Sequence, residues 1–239
     1  MSCRIENSYC KGILLKQFLL LLFFIPFFVT SQTQDTIRFN LKVGEKPLVL
    51  HQNYYSEKDT FRLETVCFYV SNVRLLKEGK TVSNAEGMCF LVDAEYDSSL
   101  VMLIPVSKNN RFDEIVFDMG IDSTLNVAGV QGGVLDPVTG MYWSWQSGYI
   151  NAKIEGWSPK SSARKQEFQY HLGGYLSPFE ARRTMHFKRT ETTSALSIDV
   201  QLDNFLRQVD LTNKPMVMSP GAVAAGLSDH LSTCFSVEQ

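Results

Sequence analysis

Residues Phe61–Leu76 decide the fold, and they read FRLETVCFYVSNVRLL. Successive side chains of a β-strand point to opposite faces, so Val66 and Phe68 fall on one face, and Cys67 and Tyr69 fall on the other. Both faces are therefore apolar, which is typical of a strand that other layers of the protein cover on both sides. The segment predicts a strand at the centre of a sheet.

Many shorter segments alternate apolar and polar residues or form short apolar runs between turns. At near-regular spacing, such segments predict an all-β fold, mainly an antiparallel sandwich or barrel, with short C-terminal helices. The expected strands are Thr36–Val43, Pro47–His51, Met88–Asp93, Leu100–Pro105, Phe112–Met119, Tyr149–Glu155, Glu167–Leu172, Thr184–Lys188 and Ser194–Val200. The expected helices are Leu202–Val209 and Pro220–Phe235.

The N-terminus has the pattern of an export signal. Two lysines precede the apolar run Phe18–Val29, which is shorter than the roughly 20 residues that span a bilayer. A small-residue site follows and favours cleavage before Gln32. We expect a signal peptide over residues 1–31 and a single domain over residues 32–239, periplasmic or secreted, with no membrane span after signal removal. An uncleaved N-terminal anchor is the alternative.

Charge and motifs favour a binding protein over an enzyme. The formal net charge of -2 gives no reason to expect a nucleic-acid partner. The sequence contains no G-x-S-x-G nucleophile elbow, no His-Glu-x-x-His pair and no nucleotide-binding glycine motif. We therefore predict a protein that is not an enzyme.

Three cysteines remain after the signal, Cys67, Cys89 and Cys234, so at most one disulfide can form. Cys67 and Cys89 lie within apolar runs, where a thiol usually behaves as a small buried hydrophobe. We expect core thiols there, and no thiolate metal site.

Five motifs follow one another along the chain. They are FYVSNVRLL (Phe68–Leu76), FLVDAE (Phe90–Glu95), FDMGIDSTLNVAG (Phe117–Gly129), GVLDPVTGMYWSWQSGYINAKIEG (Gly133–Gly156) and FQYHLGGY (Phe168–Tyr175). Together they resemble the MbnP-like proteins, exported copper-binding proteins first associated with methanobactin gene clusters. The resemblance covers nearly all of the chain after residue 31.

The resemblance implies a predominantly β fold with one copper ion. It further implies histidine ligands and kynurenine, an oxidised tryptophan that a dihaem peroxidase-like maturation partner makes. In this chain Trp143 and Trp145 are the candidate precursors, and His171 is a candidate ligand. The chain has no Trp-x-His pair, an arrangement that some relatives use.

Imidazole is a preferred copper ligand, so the other histidines near strand ends are candidates as well. If the strands that end at Leu172 and begin at Thr184 pair antiparallel, His171 and His186 share a face, about 5 Å apart when directly opposed. His51, at the end of an early strand, is an alternative second ligand. A surface or hydrogen-bonded histidine is the plain alternative for each.

Three other interpretations stay open. Asp118, Asp122, Asn126 and Asp136 offer oxygen ligands to calcium, or they shape the glycine-rich loop through Asx turns. A second function would be a β-sandwich that binds glycan or protein on an aromatic platform of Trp143, Trp145 and Tyr149, with no metal. A purely structural exported domain is the third interpretation.

Overall fold

The computed structural model describes residues 33–55, 60–85, 87–106, 112–145, 148–189 and 195–238, so the predicted signal peptide lies outside them. The strands are β1 (Thr33–Val43), β2 (Lys46–Pro47), β3 (Asn53–Tyr55), β4 (Thr60–Lys77), β5 (Lys80–Asn84), β6 (Cys89–Asp93), β7 (Val101–Val106), β8 (Glu114–Met119), β9 (Tyr142–Trp143), β10 (Gly148–Trp157), β11 (Glu167–Gly173), β12 (Arg183–Lys188), β13 (Ala195–Gln201), β14 (Met216–Val217) and β15 (Phe235–Val237). The α-helices are α1 (Ser123–Val127), α2 (Leu202–Gln208) and α3 (Ala222–Ser232). Within these ranges, no helix has both the length and the apolar character needed to cross a membrane.

The strands of the described residues form two sheets. The first runs β15–β13–β1–β2, with β7 also paired to β1. The second runs β12–β8–β4–β10–β11–β14, with β3, β5 and β6 on β4 and with β9 beside β10. The predicted central strand is confirmed, because β4 lies inside the second sheet between β8 and β10.

The two sheets contribute to one hydrophobic core. Phe39 of β1 packs edge-to-face against Phe68 of β4 and Phe117 of β8, with ring centroids 5.6 and 5.9 Å apart. Each such pair adds about 0.5–1.5 kcal/mol beyond the apolar area it buries. Phe205 of α2 and Leu227 of α3 belong to the same core. The predicted mainly antiparallel β fold with short C-terminal helices is confirmed.

The outer face of the second sheet carries a second apolar cluster, which includes Cys67 and Tyr69 of β4. Residues 120–145, called the covering segment below, fold over this face and add Leu135 and Met141 to the cluster. The hydroxyl of Tyr69 donates a hydrogen bond to the carbonyl of Val134 at 2.9 Å and ties the segment down. Both faces of β4 are therefore covered, as its sequence predicts.

Two local predictions were wrong, and one strand pair departs from the antiparallel majority. Helix α1 lies in a stretch predicted as loop, because the Asp122 carboxylate accepts the Leu125 N–H at 2.8 Å and caps a helical turn. β1 and β13 pair in parallel, so the first sheet is mixed. The predicted strand Pro47–His51 is reduced to the two residues of β2, and His51 lies in a turn with a φ of 62°.

Candidate metal centre

A polar row crosses the outer face of the second sheet. His171 of β11 pairs with Lys153 of β10, Lys153 with Cys67 of β4, and Cys67 with Asp93 of β6. Directly paired residues project from the same face of a sheet, and Cys67 belongs to the outer cluster. His171 therefore faces outward, as the alternation of β11 predicts. It is nevertheless buried, on the face that the covering segment packs against.

A carboxylate holds the imidazole of His171. Its Nε2 lies 2.7 Å from Oε1 of Glu155 on β10, and the His171 side chain is 8% exposed. The hydrogen bond with His171 holds the pKa of Glu155 below its usual value despite burial, and Lys153, whose Nζ lies 3.9 Å from the same oxygen, adds to that effect. With Nε2–H donated to Glu155, the lone pair of Nδ1 remains for a ligand; this atom has no hydrogen-bond partner in the described parts of the chain.

Glu155 was not among the candidate site residues predicted from the sequence. It sits on the polar side of the alternating strand Tyr149–Glu155, but only the register between β10 and β11 brings it to the imidazole. A carboxylate on the far nitrogen is the usual second partner of a metal-bound histidine, because it fixes the ring orientation and the tautomer. The His171–Glu155 pair shares this feature with metal-bound histidines.

Trp143 lies beside this pair. Gly173 follows His171 by two residues on β11, and a Cβ there would lie 2.7 Å from Cζ3 of Trp143. Only a glycine allows the indole to approach this closely. Trp143 is 5% exposed, and its Nε1 is buried with no hydrogen-bond partner among the described residues.

Trp145 has a different environment from Trp143. β9 ends at Trp143, and Trp145 follows in a turn, 63% exposed. The two residues therefore do not lie on one strand, although their ring centroids lie 5.9 Å apart. Trp143 is enclosed against Gly173, two residues from His171, and Trp145 is open to solvent.

The predicted pairing of His171 with His186 was wrong. β11 and β12 belong to one sheet but have β10, β4 and β8 between them. The chain that leaves β11 does not turn back beside it, and β12 lies at the opposite edge of the sheet, where His186 pairs with Val116 of β8. His186 is 62% exposed, and its Nδ1 lies 2.8 Å from Oε1 of Glu114.

His51 also lies apart from His171. It is exposed in the turn before β3, and its backbone N–H donates to the carbonyl of Leu63 at 2.8 Å. Leu63 pairs with Gly156, near the other end of the β4–β10 ladder from the Cys67–Lys153 pair. The structure therefore places Trp143 against Gly173, two residues from His171, and places neither His51 nor His186 there.

The three described cysteines are free thiols, and Cys67 and Cys234 are buried. Burial raises the pKa of Cys89 to about 12 and that of Cys234 to about 11, and it also raises the pKa of Cys67. Buried thiols in apolar surroundings are chemically inert. The predicted core thiol is confirmed for Cys67, whereas Cys89 is half-buried against the outer cluster.

The side chains proposed as calcium ligands all accept hydrogen bonds from other groups of the protein. Asp118 accepts hydrogen bonds from Asn72, Arg182 and Thr184 at 2.8, 2.5 and 2.6 Å. Asp122 caps α1, and Asp136 caps the 3-10 turn that follows it. Asn126 accepts the backbone N–H of Tyr149 at 2.9 Å. The caps made by Asp122 and Asp136 agree with the loop-shaping interpretation, whereas Asp118 lies on β8; calcium binding stays a prediction.

The aromatic platform predicted for the rival function is not formed. Tyr149 is buried, and its hydroxyl accepts the backbone N–H of Gln131 at 3.2 Å inside the covering segment. Trp143 is buried too, so of the three rings Trp145 alone is exposed. A single exposed indole does not make a stacking surface for a sugar chain.

Within the described ranges, no three side chains of His, Cys, Asp or Glu are placed to hold one metal ion. Any ion at His171 therefore needs donors of other types. Copper fits this requirement, because it accepts imidazole together with soft donors. The enclosed Trp143, with its unpartnered Nε1, fits the precursor of an aromatic-derived ligand at the same place.

Comparisons with known proteins agree with the fold. The family model described as MbnP matches residues 32–219. The solved structure of MbnP from Methylosinus trichosporium is similar with a TM-score of 0.60, over 87% of this chain and 98% of that chain, at 15% sequence identity. A likeness at that identity demonstrates a common fold. A search of curated proteins found no match.

Proposed function

The chain belongs to the MbnP family, and on that premise we propose that it is an exported, non-enzymatic copper-binding protein that acts in the periplasm or outside the cell, with His171 as a ligand. The main support is the His171–Glu155 pair. Nε2 of His171 lies 2.7 Å from Oε1 of Glu155, and Nδ1 has no hydrogen-bond partner among the described residues. The ion is cargo in this proposal. The chain's own residues orient the imidazole and exclude water around it.

Burial supports His171 over His51 and His186 as the ligand. Its side chain is 8% exposed, whereas that of His186, which also has a carboxylate partner, is 62% exposed. A site shielded from solvent keeps its ligands in place and strengthens their electrostatic interactions. His51 has no comparable carboxylate partner in the described structure and is exposed.

Trp143 packs against Gly173, which follows His171 by two residues on β11. It is therefore the tryptophan that we favour as the source of a second ligand. If a dihaem peroxidase-like partner oxidises a tryptophan to kynurenine here, Trp143 would place the new carbonyl and amine groups beside His171. Trp145 is the alternative substrate, since it is the more exposed of the two. These roles are part of the proposal.

The test is copper analysis of protein isolated from its native host, because a host without the maturation partner would leave both tryptophans unmodified. We expect a stoichiometric amount of copper in the wild-type protein and loss of copper in His171→Gln. His186→Gln is the matched control, since it removes an imidazole that also has a carboxylate partner. Mass spectrometry of the peptide that contains Trp143 and Trp145 should detect kynurenine.

Two results would overturn the proposal. The first is wild-type protein from the native host with no copper after loading and unmodified tryptophan. The second is full copper occupancy in His171→Gln, which would place the ion elsewhere.

A further inference from the structure

Two exposed methionines lie on and directly after β14, the strand that pairs with β11, which carries His171. In β14, Met216 pairs with Gln169 and Val217 pairs with Tyr170 of β11, in parallel. Val217 and Tyr170 both belong to the inner core, so Met216 is on the outer face, with Gln169. That is also the face of His171.

The chain stays beside β11 after β14 ends. A Cβ on Gly174 would lie 3.1 Å from Cβ of Pro220, so the two segments are still in contact there. Met218 lies between this contact and the Val217–Tyr170 pair, and it therefore passes next to His171. Neighbouring strands are about 4.8 Å apart, a distance that a methionine side chain with three rotatable bonds easily covers.

The exposure of these thioethers is unusual. Met216 is 46% exposed and Met218 is 42% exposed, whereas Met102, Met119 and Met141 are almost fully buried. Methionine ranks among the residues most often found inside proteins. Most methionines of the described residues are therefore core residues, whereas Met216 on the edge strand β14 and Met218 just after it lie at the surface.

From this arrangement we propose that Met216 and Met218 donate thioether sulfur to an ion bound at His171, so that the site takes copper as Cu(I). The inference rests on the proposed function, because it adds ligands to the same ion. It also provides the donors that the described His, Cys, Asp and Glu residues do not supply as a group.

Two properties of the site favour Cu(I). Thioether sulfur is a soft ligand, and soft ligands select Cu(I) over the divalent metals. The local charge favours the lower oxidation state as well, because the Glu155 carboxylate already has Lys153 at 3.9 Å and the His171 imidazole at 2.7 Å. A partly buried site with a compensated carboxylate holds a single positive charge at a lower desolvation cost than a double charge.

The experiment compares wild-type protein from the native host with the double variant Met216→Leu/Met218→Leu, since leucine keeps the apolar volume and removes the sulfur. Cu(I) affinity is measured by competition with a Cu(I)-specific chelator, and Cu(II) affinity is measured in parallel. X-ray absorption at the copper edge reports sulfur in the first coordination shell. Met88→Leu is the control, because Met88 is also exposed but lies on the loop before β6.

We expect Cu(I) binding of the double variant to weaken by about 10- to 100-fold, the range found when the shell around a metal is changed, while Cu(II) binding changes little. The sulfur signal should disappear from the double variant and persist in Met88→Leu. Wild-type protein that binds copper with only nitrogen and oxygen neighbours, and with the Cu(I) affinity of the double variant, would overturn the inference but leave the proposed function intact.

Other outcomes separate the two proposals further. Cu(I) that is retained by His171→Gln and lost by the double methionine variant would overturn the shared site and the role of His171 together. Wild-type protein that binds neither oxidation state of copper would overturn both proposals.

Discussion

Oε1 of Glu155 accepts a hydrogen bond from Nε2 of His171 at 2.7 Å, across the β10–β11 ladder. The two residues are 16 apart in sequence, and their contact depends on the register that pairs Lys153 with His171 and Glu155 with Gln169. Because the carboxylate fixes both the orientation and the tautomer of the ring, it controls which nitrogen can meet an ion. His171 is therefore a positioned imidazole as well as a buried one.

The substitution Glu155→Gln tests this relationship. It keeps the shape of the side chain but removes its charge, so we expect copper affinity to fall by about 10- to 100-fold, as for other partners of metal-bound histidines. The measurement is copper competition on protein from the native host. Glu114→Gln, at the exposed His186 pair, is the control and should bind as wild type; equal losses in both variants would show a general charge effect instead.

The approach of Trp143 to Gly173 predicts a loss of stability on Gly173→Ala. The added Cβ would lie 2.6 Å from the carbonyl oxygen of Tyr149 and 2.7 Å from the indole. Overpacking of this kind costs typically about 1–3 kcal/mol. Denaturant unfolding followed by tryptophan fluorescence measures the change.

Gly226→Ala serves as the control for Gly173→Ala. Gly226 lies inside α3, and nothing within 4 Å would meet its new Cβ. Alanine should stabilise the helix there by about 0.5–1 kcal/mol. If Gly173→Ala raises the free energy of unfolding as Gly226→Ala does, then Trp143 is not packed closely and rigidly on Gly173.

Most of the fold could be predicted from local sequence. The two-sided apolar pattern of Phe61–Leu76 places β4 at the centre, and alternation locates β10, β11 and β13 to within a few residues. These signals are local because side chains alternate along any strand. The parallel pairing of β1 with β13 carries no such signal, since the same alternation serves either direction.

The candidate site was harder to predict, because local alternation does not determine which strands pair. Alternation gives the correct face for His171, but it does not say which strand lies next to β11. The sequence neighbour β12 was the natural choice, and the structure puts β10 and β14 there instead. Partners that depend on long-range strand order, such as Glu155, are therefore missed even when every strand is located correctly.

Asp118 predicts a loss of stability in acid. Burial alone would raise the pKa of this carboxyl, but the hydrogen bonds from Asn72, Thr184 and Arg182 outweigh it and lower the pKa below the usual value near 3.8. A carboxyl with a lowered folded-state pKa stabilises the protein above its unfolded pKa, and this stability is lost as pH falls through the folded value. Unfolding free energy should therefore decline below about pH 4.

Asp118→Asn should remove part of that decline and lower stability at neutral pH, because Arg182 would lose its carboxylate partner. The comparison variant is Asp229→Asn, which removes a carboxylate whose pKa Arg183 lowers but whose side chain is 64% exposed. Exposed ion pairs contribute little, roughly 0–1 kcal/mol, so its effect should be smaller. Identical pH profiles for Asp118→Asn and the wild type would contradict the assigned role.

The contrast between the two tryptophans leads to the last prediction. Trp143→Ala removes a side chain that is 5% exposed and packed in the outer cluster, and we expect it to cost about 3–5 kcal/mol, as for other buried aromatic residues. Trp145→Ala removes a ring that is 63% exposed and should change stability by less than about 0.5 kcal/mol. Denaturant unfolding measures both. Equal costs would mean that Trp145 closes over Trp143 in solution, since the two rings lie only 5.9 Å apart.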